Sequence, residues 1–226
     1  MPFQMAMAVA LGRVDLNTAL ERLARQEKVT RLMETHDLSR ALATQIVLGH
    51  ADLEVVLSRR RLAEHREANR LRSCLDEAHA SGEPLAFALH GKRAVTARVA
   101  AVDVYMVSLV PQSKQGDEEP IEVHKLQFKY AYQPDEWKRV KKAHKLDKVL
   151  SKDPLDPIPR PQDRYTCSDK RLFRYLDNEV PIQITLLEGD QFRGNVTWFG
   201  RYELGFKVKG DTEITVFRHC LHDISE

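Results

Sequence analysis

The sequence predicts an α+β protein with an N-terminal helical domain followed by two small β units. The first eighty residues place leucines at helical spacing, as in Leu16, Leu20 and Leu23. After Pro84 the chain alternates and is rich in β-branched and aromatic residues. Four prolines between residues 154 and 161 favour an extended linker. The expected domains are 1–80, 82–133 and 165–226, with a basic and proline-rich segment at 134–164.

Composition favours a soluble, cytoplasmic protein with packed cores, since 42% of the 226 residues are hydrophobic. The three cysteines are far apart and odd in number, which argues against a disulfide framework. No apolar run approaches the length of a membrane span. The first seven residues contain no basic residue, so they make a poor signal peptide. No cofactor motif or catalytic motif is present, and we expect a protein that is not an enzyme.

The helical region contains one phrase twice, "LGRVDLNTALER" at 11–22 and "LGHADLEVVLSR" at 48–59. In each copy a glycine precedes an aspartate by three residues. Gly12 fits the end of a short helix, and Asp15 can cap the next one. The repeat therefore predicts two copies of a short helix, a glycine stop and a capped second helix.

The stretch between the two copies resembles a helix-turn-helix of the phage-repressor type. Such a motif turns polar side chains into the major groove of DNA. The candidate recognition positions are Ser39, Arg40, Thr44 and Gln45. An ordinary three- or four-helix bundle explains the same pattern and is the better prediction, because helix-turn geometry is common. Residues 58–72 are expected to form a charged bridging helix.

A basic run follows the first β unit and precedes the prolines. It is either a solvated helix face or a set of auxiliary phosphate contacts for a nucleic acid. The candidate residues are Lys138, Arg139, Lys141, Lys142 and Lys145. A short helix, "SDKRLFRYLDNE", then leads into the second β unit.

Motifs in residues 171–224 resemble the bacterial Sm-like RNA chaperone Hfq. Val180-Pro181-Ile182 enters the sheet, Gly189 and Gly194 follow at the family's spacing, and Phe217-Arg218-His219 stands where the family has Tyr-Lys-His. Phe199 and Tyr202 take the places of its paired aromatics. The resemblance implies a five-stranded, strongly bent sheet or barrel after a short helix.

The upstream unit fits the same pattern more loosely. Asp103 to Met106 matches the Asp-x-aromatic-hydrophobic step of Sm motif one, and Val123-His124-Lys125 is a scrambled triplet. Ala97 stands where the second glycine is expected. The resemblance therefore implies two tandem Sm-like units in the chain, the first more diverged.

By resemblance, the loop between strands four and five grips single-stranded, U-rich RNA, as expected of a post-transcriptional regulator or RNA chaperone. An aromatic ring gives an unstacked base a platform, arginine adds charge and planar donors, and neutral histidine both donates and accepts. The predicted RNA-binding residues are Arg201, Tyr202, Phe217, Arg218, His219, Tyr105, His124 and Lys125. Packing in the core is the alternative for Phe217.

Several departures from the family limit the transfer. Thr185 and Asp190 replace residues of its purine-binding face, and the added carboxylate would repel phosphate. "LDNE" at 176–179 lacks the arginines of its rim. Zinc is not predicted at Cys220 and His222 with His219 nearby, because residues 219 and 220 would point to opposite faces of a strand and no second ligand pair has zinc spacing.

Two units in one chain imply a homotrimer that forms a pseudo-hexameric ring, or a monomer whose units pair internally. Two other functions remain open. One is a DNA-binding regulator that uses the N-terminal helices, with the β units for oligomerisation. The other is a protein-interaction scaffold without nucleic acid.

Overall fold

A computed structural model describes residues 3–113, 116–117 and 119–226. The chain divides into two compact units, one ending at Ala63 and one beginning at Glu64. Together they form an α+β structure with N-terminal helices and a large antiparallel sheet, which stays open over the described residues.

The element bounds are as follows. The helices are α1 (Phe3–Ala10), α2 (Leu16–His36), α3 (Arg40–Val47), α4 (Leu53–Ala68), α5 (Cys74–Ser81), α6 (Trp137–Ala143) and α7 (Asp169–Asp177). The strands are β1 (Leu85–Leu89), β2 (Arg93–Val102), β3 (Met106–Ser113), β4 (Gly116–Asp117), β5 (Ile121–His124), β6 (Phe128–Tyr132), β7 (Lys145–Leu146), β8 (Ile182–Leu186), β9 (Asp190–Phe199), β10 (Glu203–Val208), β11 (Glu213–Phe217) and β12 (Leu221–Ser225). Turns of 3-10 helix lie at Lys125–Gln127, Pro134–Glu136, Pro161–Asp163 and Arg218–Cys220.

The two-copy phrase of the helical unit folds as predicted. Gly12 and Gly49 have φ angles of 68° and 75°, a left-handed conformation that ends a helix at little steric cost. Asp15 then accepts hydrogen bonds from the first turn of α2. Asp52 accepts one from Val55 at the start of α4. Ser39 caps α3 between the copies.

The core of the helical unit forms where α2, α3 and the start of α4 meet. Val29, Leu38 and Ala43 are buried at its centre. The partly buried residues around them are Leu32, Met33, Leu42, Ile46, Val47, Leu53 and Val56. This burial orders α3 through packing of its apolar face, because an isolated helix of eight residues is marginal in water.

The sheet unit contains one topology twice. The first repeat comprises α5 and the strands β1, β2, β3, β5 and β6, with β4 as a two-residue addition to β3. The second repeat comprises α7 and β8 to β12. In both, the first strand pairs with the second and the last, and the fourth strand pairs with the third. The helix α5 packs on the first repeat through Cys74, Leu75 and Ala78, so it belongs with the sheet rather than with a helical domain reaching residue 80.

Irregularities in the strands also coincide between the repeats. The register of β2 with β3 shifts between Val99 and Ala101 of β2. The register of β9 with β10 shifts at the equivalent place, which is Gly205/Phe206 on the β10 side. In each repeat a 3-10 turn separates the fourth strand from the fifth. β-bulges of this kind redirect a strand and increase its twist. The repeats are therefore equivalent residue by residue through most of their length.

The repeats join through one antiparallel strand pair, β6 of the first with β11 of the second. Tyr130 lies opposite Val216, and Tyr132 lies opposite Ile214. The rings of Phe128 and Phe217 meet across this junction with centroids 5.5 Å apart. The two repeats thus pair internally; β12 lies at one outer edge of the sheet, and β5 and the short β4, both paired with β3, lie at the other.

Candidate nucleic-acid interface

Each repeat brings its aromatic loop and its basic turn together. In the first repeat the Lys125 N–H donates to the Tyr105 carbonyl at 2.8 Å, and in the second the Arg218 N–H donates to the Tyr202 carbonyl at 2.8 Å. We call Asp103–Tyr105 with His124–Gln127 the first loop pair. Gly200–Tyr202 with Phe217–Cys220 is the second loop pair. The sequence-predicted residues therefore lie in two equivalent clusters.

In the first loop pair the loop 103–105 is exposed and the turn 124–127 is half-exposed. Tyr105 is 68% exposed, and its ring lies nearly parallel to that of His124, with centroids 6.4 Å apart. The His124 Nδ1 accepts the Leu126 N–H at 3.1 Å, so the proton of the neutral ring is on Nε2. Among the residues that the structure describes, Lys125 forms no ion pair. A stacking ring, a ring N–H donor and a free ammonium group therefore converge here.

The second loop pair has the same backbone but engages its basic side chain internally. The Arg218 guanidinium donates to the carbonyls of Gly200 (2.7 Å) and Cys167 (2.9 Å) and to the Asp169 carboxylate (3.2 Å). These three acceptors tie the loop to the start of α7. Arg218 therefore holds structure together, while its predicted role in RNA binding stays a prediction.

The neighbours of Arg218 are also withdrawn from solvent. Phe217 is 3% exposed and packs in the core, as the alternative interpretation expected. His219 is half-buried, and its Nε2 has no hydrogen-bond partner among the described residues. Burial lowers the pKa of His219 to about 4, and the nearby Arg164 charge adds to the effect. This histidine is neutral at physiological pH and faces the protein interior.

Tyr202 and Arg201 are the exposed members of the second loop pair. Tyr202 is 64% exposed, and the Arg201 guanidinium lies 5.1 Å from its ring centroid. Such a cation–π pair keeps the ring oriented while leaving it accessible. Tyr202 therefore offers a stacking surface similar to that of Tyr105.

The equivalence of the turns corrects two sequence-based assignments. Alignment of the two 3-10 turns makes His124 equivalent to Phe217 and Leu126 equivalent to His219. The triplet of the first repeat is therefore His124-Lys125-Leu126, one residue later than predicted. Residues 218–220 form a turn rather than a strand, so the alternation used to argue against zinc is absent there. Across the described ranges, no group of three or more His, Cys, Asp or Glu residues is placed to hold a metal ion.

Residues 64–73 pack against the end of β9 beside the second loop pair, through contacts that the sequence does not predict. We call residues 64–73, which run from the end of α4 towards α5, the strap. The His65 ring packs on Phe199 at 4.3 Å, and its Nε2 lies 3.2 Å from both the N and the O of Phe199. The Arg72 guanidinium stacks 3.9 Å above the Trp198 ring. Burial outweighs the Phe199 contact and lowers the pKa of His65.

Two carboxylates fasten the strap. Glu203 is 4% exposed and accepts the Cys74 N–H at 2.7 Å, and burial raises its pKa. Asp169 pairs with Arg66 at 3.0 Å on one oxygen and with Arg218 on the other. No spacing in the sequence signals these contacts, because their members lie about a hundred residues or more apart.

The basic segment is exposed. Lys138, Arg139, Lys141, Lys142 and Lys145 all face solvent along α6 and β7. Trp137 is 47% exposed, and the Lys141 ammonium lies 5.8 Å from its ring centroid. Arg139 pairs with Glu136 at 2.8 Å. The arrangement is consistent with either prediction, a solvated face or phosphate contacts.

An ion cluster is buried where the repeats meet. The Lys129 ammonium lies 2.6 Å from Glu188 and 2.8 Å from Asp190, and His144 lies 2.8 Å from the other Asp190 oxygen. Burial alone would raise the pKa of Asp190, but His144 and Lys129 outweigh it and the pKa is lowered. Burial alone would lower the pKa of Lys129, but the two carboxylates raise it.

This cluster corrects the role assigned to Asp190. The sequence predicts that the Asp190 carboxylate repels phosphate. In the structure this side chain is 6% exposed, and its charge is paired with the Lys129 ammonium. The linker also covers the turn before β9, where the Asp147 N–H donates to the Gly189 carbonyl at 2.8 Å and the Leu155 N–H donates to the Leu187 carbonyl at 3.1 Å. The turn is therefore closed by the chain itself.

The rim segment "LDNE" borders an open groove of about 800 Å³. It lacks arginine, as the sequence shows, but strands β9 and β10 bring Arg193 and Lys207 to the same groove. Lys207 pairs with Asp211 at 2.8 Å.

The candidate recognition residues of the helix-turn-helix lie in the helical unit. Arg40 and Gln45 are exposed, Ser39 caps α3, and the Thr44 hydroxyl donates to the Arg40 carbonyl.

Comparison with known proteins gives no match to a family model, a curated protein or a solved structure. None of the described helices is long and apolar enough to cross a membrane.

Proposed function

We propose that this chain binds single-stranded RNA through its two loop pairs and that its two repeats are Sm-like units of the Hfq type. The order of the strands, the preceding helix and the 3-10 turn before the last strand support this in both repeats. The observation that carries the proposal is the pair of equivalent backbone bonds, from Lys125 to Tyr105 and from Arg218 to Tyr202, that set an exposed tyrosine beside a basic turn. The function is binding rather than catalysis.

The exposed groups suit unpaired RNA better than duplex. Tyr105 and Tyr202 can each stack one base, a contact worth about 1–3 kcal/mol. Lys125 and Arg201 supply charge for phosphate. The His124 Nε2–H can donate to a base carbonyl oxygen, and both uracil carbonyls can accept it, which agrees with the U-rich preference that the resemblance implies.

The exposed basic segment on α6 and β7 would contribute phosphate contacts that depend on salt. Five cations from Lys138 to Lys145 lie on a stretch of eight residues, with Trp137 beside them. This segment is proposed as an auxiliary surface, since phosphate contacts position a strand without reading its sequence.

The outer edges of the sheet support a homo-oligomer. Inside the chain a last strand, β6, pairs with a fourth strand, β11. The other fourth strand, β5, and the other last strand, β12, lie at the two ends, and exposed strand edges tend to pair with another chain. We propose that β12 of one copy pairs with β5 of the next, and that three chains close a six-repeat ring. Light scattering should then give three times the 26.0 kDa mass of the chain.

Fluorescence anisotropy with labelled oligo-U, oligo-A and random duplex DNA at physiological salt tests the RNA proposal. The Tyr105→Ala/Tyr202→Ala variant should weaken oligo-U binding at least tenfold, because it removes both stacking surfaces. Phe3→Ala removes an aromatic that is 77% exposed in the helical unit and serves as the matched control. Its affinity should stay within twofold of wild type.

Other outcomes would replace the proposal. A preference for duplex DNA that is lost in Arg40→Ala/Gln45→Ala would move the function to the helical unit. Absence of binding to all three probes would leave a protein-interaction scaffold.

A further inference from the structure

The two loop pairs share a backbone but differ in what their side chains are free to do. Arg218 donates to three oxygens of its own chain, Phe217 is buried, and the Nε2 atom of the half-buried His219 is enclosed by protein. At the equivalent places in the first repeat, His124 is half-exposed and Lys125 forms no ion pair with any described residue. The second repeat, whose Phe217-Arg218-His219 is closer to the family's Tyr-Lys-His, is thus the one whose basic side chain is engaged within the protein.

The strap is linked to Arg218 through Asp169. Asp169 binds Arg66 of the strap and Arg218 of the turn at the same time. A Cβ built on Gly200 would lie 3.1 Å from the Asn69 carbonyl, so the strap and the loop are in close contact. Arg218 therefore joins the loop that carries Tyr202 to the start of α7, and the shared Asp169 links it to the strap.

In the first loop pair, by contrast, residues 103–105 are exposed. Its loop tip holds Val104, 70% exposed, and Tyr105, 68% exposed. The backbone there is fixed locally, because the Asp103 carboxylate accepts the Val104 N–H at 2.7 Å and the Asp103 N–H donates to the Met106 carbonyl at 2.9 Å. A rigid loop with exposed side chains loses little conformational entropy when a ligand binds.

We infer that the two loop pairs have divided their roles, with the first loop pair making the principal RNA contacts and Arg218 acting as a positioning residue that fastens the strap to the second loop pair. This inference rests on the proposed RNA-binding function. In it, Tyr105 stacks a base, Lys125 binds phosphate and the His124 Nε2–H donates to the base. Tyr202 adds a weaker contact.

The experiment compares two full-length variants by oligo-U anisotropy and by thermal unfolding. Tyr105→Ala/Lys125→Ala should raise Kd at least tenfold and leave the unfolding temperature within about two degrees, since both side chains are accessible. Arg218→Ala should lower the unfolding temperature by several degrees while Kd, measured well below that temperature, stays within twofold. Tyr202→Ala should raise Kd less than Tyr105→Ala does.

The opposite results distinguish failure of the division of roles from failure of the proposed RNA-binding function. A tenfold rise of Kd in Arg218→Ala with an unchanged unfolding temperature would overturn the division of roles while keeping the RNA-binding function. Equal losses in Tyr105→Ala and Tyr202→Ala would also overturn it. Oligo-U binding by the wild type that none of these variants weakens would remove the loop pairs from the proposed function.

Arg218→Ala could fail to fold, and Asp169→Asn provides the second variant. It weakens the contacts of Arg66 and Arg218 with one carboxylate and keeps the two carbonyl contacts of Arg218. Its unfolding temperature should fall less than that of Arg218→Ala, with Kd again within twofold of wild type. A Kd raised tenfold in Asp169→Asn without loss of stability would contradict the positioning role.

Discussion

Lys129 in the first repeat and His222 in the second occupy the same place, the second residue of the last strand, but only Lys129 lies in a buried ion cluster. The turn that receives Lys129 supplies Glu188 and Asp190. The equivalent turn of the first repeat has glycine and arginine there, at Gly91 and Arg93. Equivalent backbones thus carry different charges, and the charged set lies at the junction inside the chain.

The difference teaches where specificity is added to a repeated fold. Strand pairing alone would let any last strand meet any fourth strand, since backbone hydrogen bonds carry no sequence information. A buried cation between two carboxylates fits only the matching turn, because an unpaired buried charge is strongly unfavourable. The cluster therefore selects the contact between β6 and the second repeat.

The largest expected effect comes from removing that cation. Lys129→Met removes the ammonium group between two buried carboxylates, leaving Asp190 with His144 and Glu188 with the Gly91 N–H, and should lower the free energy of unfolding by about 4 kcal/mol, measured by urea denaturation. His222→Met at the equivalent position should change it by less than about 1 kcal/mol. Equal losses in the two variants would show that the cluster adds nothing to the junction.

A smaller effect is expected where the repeats differ by one methyl group. Gly194 and Ala97 are equivalent, but a Cβ on Gly194 would lie 2.0 Å from the Lys207 carbonyl oxygen. Gly194→Ala must shift the backbone of β10 and should cost about 3 kcal/mol.

The reverse change in the first repeat is the control for Gly194→Ala. Ala97→Gly removes a buried methyl group without creating a clash and should cost about 1 kcal/mol through greater backbone freedom in the unfolded chain. Thermal unfolding of both variants makes the comparison. A Gly194→Ala protein as stable as wild type would contradict the close approach of β9 and β10.

The smallest effect depends on pH and distinguishes His219 from its equivalent, Leu126. The pKa of folded His219 is lowered to about 4, so the unfolded chain binds its proton first and acid favours unfolding. The stability from a neutral His219 is fully present above about pH 6.5 and is lost as the pH falls towards 4. Between pH 7 and pH 5 this group should cost about 2 kcal/mol.

His219→Leu makes the second repeat resemble the first at this position and should reduce that loss. The half-buried His65 and the buried His90, whose pKa values burial also lowers, remain in both proteins, so their contribution cancels in the comparison. Urea denaturation at pH 7 and pH 5 measures the difference. Identical pH dependence in the two proteins would mean that His219 is not buried in solution.

Local signals in the sequence predicted most of the elements. Gly12 and Asp15 marked a helix end and a helix start because positive φ and N-terminal capping are properties of single residues. The extended proline segment was predicted for the same reason. The domain boundary was placed too late, because whether α5 packs on the helices or on the sheet depends on contacts far along the chain.

The candidate site was predicted only in part. The sequence identified Tyr105 and Tyr202, and the structure exposes both. It gave equal weight to Arg218, although that side chain is engaged by carbonyls of Gly200 and Cys167. A motif records which residue types are present, but the atoms that surround them come from other parts of the chain.

The sequence by itself determined the helical phrase, because that phrase rests on side chains within a few residues of one another, and it named the aromatic and basic residues of the two loop pairs. Only the tertiary structure decided that β6 pairs with β11, that Lys129 is enclosed by Glu188 and Asp190, and that the strap packs on the end of β9 beside the second loop pair. These contacts join residues far apart in the chain, and their free energy depends on burial and distance, which no local pattern encodes.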